Sequence, residues 1–220
     1  MPRAFHQWTR RRYLNNYNMD SKDGKGTLWD LKYEQGLPSL TIPDPFFVSS
    51  YERVVEGRFP RGGRALDLAG GLSRHAIWLA ARGWHVSVVD ISEVAIGKLR
   101  QEAKQQGLQL DLFPVNAAEY DFETKRYDLI VLFYHFDRTL FPKIVSALNP
   151  DGILICKIAI HWSAETGVSA TLDNPLRRSE ILSLVPGLHV IDHRERPVRG
   201  RGVVEFVGTR PKSLSKPREA

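Results

Sequence analysis

Between Ala65 and His75 the chain reads Ala65-Leu66-Asp67-Leu68-Ala69-Gly70-Gly71-Leu72-Ser73-Arg74-His75. An apolar strand runs into a glycine pair and then into a helix. Strands and helices keep alternating after it, which predicts a mostly parallel sheet with helices on both faces. Strands are expected over Arg64–Leu68, Trp84–Asp90, Gln109–Phe113, Tyr127–Phe133 and Gly152–Ile160. Tyr127–Phe133 is mostly apolar, as a strand buried on both faces requires. Helices are expected over Arg74–Arg82, closed by Gly83, and over Glu93–Gln106, capped by Ser92 and closed by Gly107. Two more follow, Arg138–Leu148 and Arg178–Leu184, the latter led by Ser179. Asn149-Pro150-Asp151-Gly152 reads as a turn. Leu188–Glu195 and Val203–Thr209 are spaced for a hairpin. The fold class is α/β: a doubly wound, mostly parallel seven-stranded sheet with an antiparallel C-terminal hairpin strand.

The flanks differ from this middle. Residues 1–27 are polar and basic and read as a flexible arm; residues 211–220 read as a basic tail. The folded domain is expected over residues 28–210, a length that buries a full core. Trp29, Leu31, Tyr33 and Leu37 mark a short amphipathic segment, Pro38–Pro45 a loop, and Phe46–Val55 a helix on the sheet edge. The net charge of +6 is concentrated at the two ends. Such ends can bind nucleic acid through phosphates, but without interleaved aromatics the solvated-tail reading is preferred. No run approaches the ~20 apolar residues of a membrane span, and Met1–Asn18 lacks the apolar centre of a secretory signal. A cytoplasmic setting without a membrane partner is therefore expected. The single cysteine, Cys156, sits in an apolar run and is expected to be a buried small hydrophobe.

In a doubly wound sheet, ligands sit just past the carboxyl ends of the strands. The glycine pair lets a ligand approach the backbone there. A nicotinamide fingerprint needs Gly-x-Gly-x-x-Gly. Gly70 and Gly71 are adjacent instead, and no phosphate-gripping lysine precedes a Ser or Thr. Asp90 ends the second strand about 20 positions after the glycines, where a carboxylate accepts hydrogen bonds from ribose hydroxyls. The alternative for Asp90 is a helix cap, which Ser92 already supplies.

On these residues the chain resembles the class I S-adenosylmethionine (SAM)-dependent methyltransferases, and within them the small bacterial tellurite-resistance and thiopurine type. The likeness covers about Trp29 to Thr209 and is carried by Asp67-Leu68-Ala69-Gly70-Gly71-Leu72-Ser73-Arg74 and by Trp78-Leu79-Ala80-Ala81-Arg82-Gly83-Trp84 to Val89-Asp90-Ile91-Ser92. It implies the Rossmann-like methyltransferase fold with SAM as cofactor. It places Asp67, Ala69, Gly70, Gly71, Ser73, Arg74, Asp90, Ile91, Asn116, Ala117 and Phe133 around that cofactor. Ser73 stands where the family usually has glycine, and its hydroxyl is expected at the ligand carboxylate. Asn116 stands for the usual aspartate, with its side-chain oxygen toward the adenine amino group and the Ala117 N–H toward a ring nitrogen.

Tyr134 and His135 follow the fourth strand and are the catalytic candidates, His135 as base where the acceptor must lose a proton. Trp29, Tyr33, His161 and Trp162 are the acceptor-pocket candidates. His75 is expected at the surface or in packing, and no metal is expected. The implied function is a SAM-dependent methyltransferase acting on a small molecule. The alternatives are an RNA- or protein-directed enzyme guided by the basic ends, and a non-catalytic SAM-binding module. Phe133-Tyr134-His135-Phe136 stands where amino-group nucleic-acid methylases carry Asn-Pro-Pro-Tyr, which argues against base methylation. The acceptor atom and the oligomeric state are open at this level.

Overall fold

The computed structural model describes residues 22–35, 42–122, 124, 126–160, 176–198 and 201–212. Its elements are α1 (Lys22–Glu34), α2 (Pro45–Ser50) running into a π-helical turn (Tyr51–Val55), β1 (Arg64–Leu68), α3 (Arg74–Ala80), β2 (His85–Asp90), α4 (Glu93–Gln105), β3 (Leu110–Pro114), a 3₁₀ turn (Ala117–Glu119), β4 (Tyr127–Phe133), α5 (Leu140–Ala147), β5 (Leu148–Ile160), α6 (Glu180–Leu184), β6 (His189–Val198) and β7 (Arg201–Thr209). The seven strands form one sheet in the order β3-β2-β1-β4-β5-β7-β6. β1 to β5 are parallel, and β7 inserts antiparallel between β5 and β6.

Strand alternation splits the core in two. Leu66, Leu68, Ile130, Leu132, Leu154 and Cys156 face one side with Phe141 and Ile144 of α5. Ala65, Val88, Val131, Phe133 and Ile155 face the other, under Phe47 and Val55, Leu79 of α3 and Leu99 of α4. Asp67 follows this second face by its position in β1. Cys156 is fully buried, and burial pushes its thiol up, so it stays neutral.

Ser92 caps α4 as expected, its Oγ accepting from Ala95 N at 3.1 Å. Ser179 precedes α6 in a left-handed conformation and makes no side-chain cap. The turn signal at Asn149–Gly152 is absorbed into β5. Tyr127 pairs with Leu148 and Leu129 with Ile153, so the turn residues bulge opposite Asp128, with Asp151 at φ 64°. The helix α1 begins at Lys22 and so takes in residues the sequence reading assigned to the arm. Among the described residues no helix is long and apolar enough to cross a membrane.

Candidate functional site

The strand order reverses between β1 and β4, and the carboxyl ends of β1, β2, β4 and β5 share one edge. Open α/β sheets bind ligands at such a switch point. The loop leaving β1 is held there by three left-handed residues, Ala69 (φ 54°), Gly71 (φ 59°) and Ser73 (φ 45°). Gly70 N donates to Val89 O at 3.1 Å, which staples the loop to β2. A Cβ on Gly70 would lie 3.0 Å from Val88 Cγ1 and 3.1 Å from Asp67 Cγ, so a side chain there would press on both neighbours.

Two carboxylates flank the loop. Asp90 Oδ2 accepts from Gly71 N at 2.7 Å and Oδ1 from Ser92 N at 2.9 Å. Each oxygen keeps a second lone pair. Burial raises its carboxyl, against the two backbone donors and the neighbouring His135 imidazole. Asp67 is 2% exposed and accepts from Ser73 Oγ at 2.7 Å. Burial pushes the Asp67 carboxyl up to about 7; the Ser73 bond opposes this and the Asp90 charge adds to it.

Two expected cofactor contacts are placed otherwise. The Ser73 hydroxyl is spent on Asp67 rather than aimed outward, because the left-handed backbone turns Oγ under the loop. Arg74 turns away from the loop: Nη1 donates to Ile42 O at 3.1 Å and Nη2 lies 3.6 Å from Asp44 Oδ2. His75 is a packing residue with a polar role. It is buried with ring centroids 4.6 Å from Phe47 and 4.4 Å from Phe133, and its Nε2 accepts from Asp44 N at 3.4 Å. Burial, reinforced by Arg74, holds its pKa down to about 3. It is therefore neutral, and the 3.8 Å approach of Nδ1 to Asp67 Oδ2 is not an ion pair.

Helix α1 lies across this edge. Asp30 Oδ1 accepts from Ser92 Oγ at 2.5 Å and from Val94 N at 3.1 Å, so it caps α4 from outside. Lys98 Nζ donates to Tyr33 O at 2.6 Å. The Tyr33 hydroxyl reaches the loop, where a Cβ on Gly71 would collide with it. Burial and the Asp90 charge push the Tyr33 phenol upward. Ile91 is touched from the same helix, 3.5 Å separating its carbonyl from a Cβ built on Gly26. Trp29 stands beside Tyr33 at 6.0 Å and is 40% exposed.

Asn116 caps the 3₁₀ turn, its Oδ1 accepting from Ala118 N at 3.0 Å; Ala117 beside it is buried. At the end of β4, Phe133 packs on His75 and Phe47. The next two residues diverge. His135 lies near Asp90. Tyr134 has φ 58°, is 55% exposed, and donates its backbone N–H to Lys157 O at 2.7 Å. His161 and Trp162 lie outside the described residues.

A buried ionic cluster next to Tyr134 was not anticipated. Lys157 Nζ lies 3.1 and 3.2 Å from the two Asp44 oxygens and 3.1 Å from Glu205 Oε1. Arg196 closes on Glu205 with two bonds, 3.0 and 2.6 Å. The sequence signal was present: a lysine interrupts the apolar run to Ile160, and a glutamate stands among the apolar residues of Val203–Thr209. Charges there require partners. Among the described residues no three His, Cys, Asp or Glu side chains are grouped to hold a metal.

Residues 65–152 match the family described as a methyltransferase domain. Over 104 residues the chain is 28% identical to a 23S rRNA (uracil(747)-C(5))-methyltransferase from Pyrococcus abyssi, covering 44% of this chain and 25% of that protein. The chain thus spans about a quarter of that relative's length. Among solved structures, TehB from Haemophilus influenzae is similar with a TM-score of 0.65 at 16% identity, covering 84% of this chain and 67% of that one. The N-methyltransferase NodS from Bradyrhizobium japonicum in complex with S-adenosyl-L-homocysteine (SAH) is similar with a TM-score of 0.58 at 14% identity, covering 84% and 99%. At these identities the structural likeness concerns the fold.

Proposed function

We propose, on the premise that the chain carries a class I SAM-dependent methyltransferase domain, that it transfers a methyl group from SAM to a small-molecule acceptor in the cytoplasm. The observation that carries this reading is the pair of carboxylates bound into one loop at the switch point: Asp67 to Ser73 at 2.7 Å and Asp90 to Gly71 at 2.7 Å. SAM supplies a methyl group on a positively charged sulfur. The donor set fits its two ends. The remaining lone pairs of Asp90 suit two ribose hydroxyls. Asp67 is the counter-charge for an ammonium group, and the bare backbone at Gly70 and Gly71 admits an amino-acid tail. Asn116 and Ala117 serve the adenine edge, the former through the lone pair that Ala118 leaves unused, with Ile91 and Phe133 as apolar lining.

Methyl transfer is an in-line displacement that needs a positioned, desolvated acceptor. Tyr134 and His135 stand at the end of β4, where that acceptor must approach. Tyr134 orients it, and His135 takes a proton from acceptors that have one to lose. Tyr33, Trp29 and the rest of α1 exclude water from above.

Calorimetric titration with SAM and SAH tests the reading. Both should bind, and Asp90→Ala should weaken SAH by at least about tenfold, the scale of one charge-assisted hydrogen bond. Failure of both to bind at high micromolar concentration ends the proposal. Radiolabel transfer from SAM into a mixed metabolite extract separates an enzyme from a binding module. Label appearing in RNA instead, in a salt-sensitive manner, would move the acceptor to nucleic acid.

A further inference from the structure

Building on that methyl-transfer reading, we propose that Tyr134 and Arg196, seated on the buried Lys157–Asp44–Glu205 cluster, form the acceptor site and select a small molecule that carries a carboxylate.

Position comes first. Lys157 is paired with Phe133 across β4 and β5 and with Glu205 across β5 and β7. The cluster therefore borders the end of β4, on the face of the sheet shared with Phe133. Its ammonium lies 5.9 Å from the Tyr134 ring centroid. The ring thus stands over the cluster's buried cation. A left-handed tyrosine that is half exposed at a strand end is backbone strain of the kind that gathers at functional sites.

Charge comes next. Three cations, Lys157, Arg196 and Arg74, meet two carboxylates, Asp44 and Glu205. The carboxylates are buried and already committed: Asp44 to Lys157, Arg74 and Phe46 N, Glu205 to Lys157 and Arg196. At 5% and 2% exposed, neither is open to an incoming cation. Arg196 is different. Its side chain is 49% exposed, against 3% for Glu205. Among the described residues its Nε and one Nη2 hydrogen serve Glu205. A guanidinium has five N–H groups, so an outward fork is left, and such a fork matches a carboxylate. The Tyr134 ring, 55% exposed and 5.9 Å from the Lys157 ammonium, brings a hydroxyl as a further donor. A buried ionic cluster is a weak source of stability compared with apolar packing. A role in fixing Arg196 and Tyr134 gives these charges a purpose in the middle of apolar strands.

The test titrates SAH-saturated protein with benzoate and with benzylamine, which match in size and differ in charge. Benzoate should bind at least about tenfold tighter than benzylamine, and Arg196→Gln should lose at least about tenfold of the benzoate affinity, with Arg196→Lys retaining part of it. SAH affinity should stay within about twofold in both variants. Equal or tighter binding of benzylamine, no benzoate binding to the SAH-loaded protein, or benzoate affinity indifferent to Arg196→Gln overturns the proposal. Thermal unfolding checks the fold of the variants. Should Arg196→Gln fail to fold, Tyr134→Phe decides, because it removes only a hydroxyl from an exposed ring; unchanged benzoate affinity there also overturns the proposal. Wild-type protein that binds no SAH overturns the methyltransferase reading itself, which is a separate outcome.

Discussion

Replacing Lys157 by methionine keeps the length of the side chain and removes its charge. The residue is 5% exposed, and its ammonium is the only described group that touches both Asp44 and Glu205. Removing one partner from a buried ion pair costs about 3–5 kcal/mol, because a charge is stranded. Here the stranding is partial. Glu205 keeps the two-pronged Arg196, and Asp44 keeps the Phe46 N–H at 2.9 Å and the more distant Arg74 at 3.6 Å. The loss should therefore fall at or just below the low end of that range, about 2–3 kcal/mol. For a chain of this size that lowers the melting temperature by roughly 4–12 °C. Urea denaturation of the wild type, Lys157→Met, Asp44→Asn and the double variant gives the full cycle. Asn can still accept the Phe46 N–H, so the cap survives, and the double variant should lose less than the two single losses together by at least about 1 kcal/mol. A Lys157→Met protein within about 0.5 kcal/mol of wild type, or strict additivity in the cycle, would refute the reasoning.

The remaining predictions concern the cofactor loop. The Asp67 carboxyl titrates at about 7 in the folded protein against 3.8 ordinarily, so between these values the folded state holds a proton that the unfolded state has released. The Asp67 contribution to stability falls as pH rises across that window, while His75, held down to about 3, contributes with the opposite sign, so relative to wild type Asp67→Asn should make stability climb more steeply with pH in urea melts. SAH affinity should rise with pH toward about 7 and level off above it, since an ammonium group favours the ionised carboxylate. Ser73→Ala deletes the hydroxyl that lowers the Asp67 pKa, so the same binding profile should move to higher pH; a profile that does not move refutes the assignment. Gly71→Ala places a methyl group against the Tyr33 hydroxyl in a left-handed backbone, and should cost about 1–2 kcal/mol in strain alone. Adding Tyr33→Phe should recover the steric part but not the backbone part, as read by thermal unfolding.

Much of the fold was legible because parallel strands need crossovers, and the crossover helices announce themselves by caps and glycines. Ser92, Gly83 and Gly107 mark local backbone states, and a local signal survives folding: both glycines take positive φ. The Asn149–Gly152 signal was also true locally, with Asp151 at φ 64°, yet it could not say that the flanking residues would stay paired to β4. Side-chain destinations were less legible. Whether Ser73 Oγ points to a ligand or to Asp67 depends on one left-handed residue. Whether Arg74 reaches the loop or Asp44 depends on a segment some thirty positions earlier. The ionic cluster joins residues from four separate parts of the chain, and only the odd charge in each strand hinted at it.

Helix α1 completes the physical picture of the edge. Its sequence, Lys22 to Glu34, holds two glycines, each costing about 1 kcal/mol in a helix interior. Two of its anchors are polar: Asp30 on the start of α4, and Lys98 on the final turn of α1. Those bonds exchange readily with water, unlike the apolar contacts that hold α2 and α3 on the sheet. An element with weak intrinsic helicity and polar latches belongs to the low-stability end of a domain, where binding lids are drawn from. The Tyr33 hydroxyl stands against the bare side of Gly71, so α1 meets the loop at a position where a Cβ would collide with it.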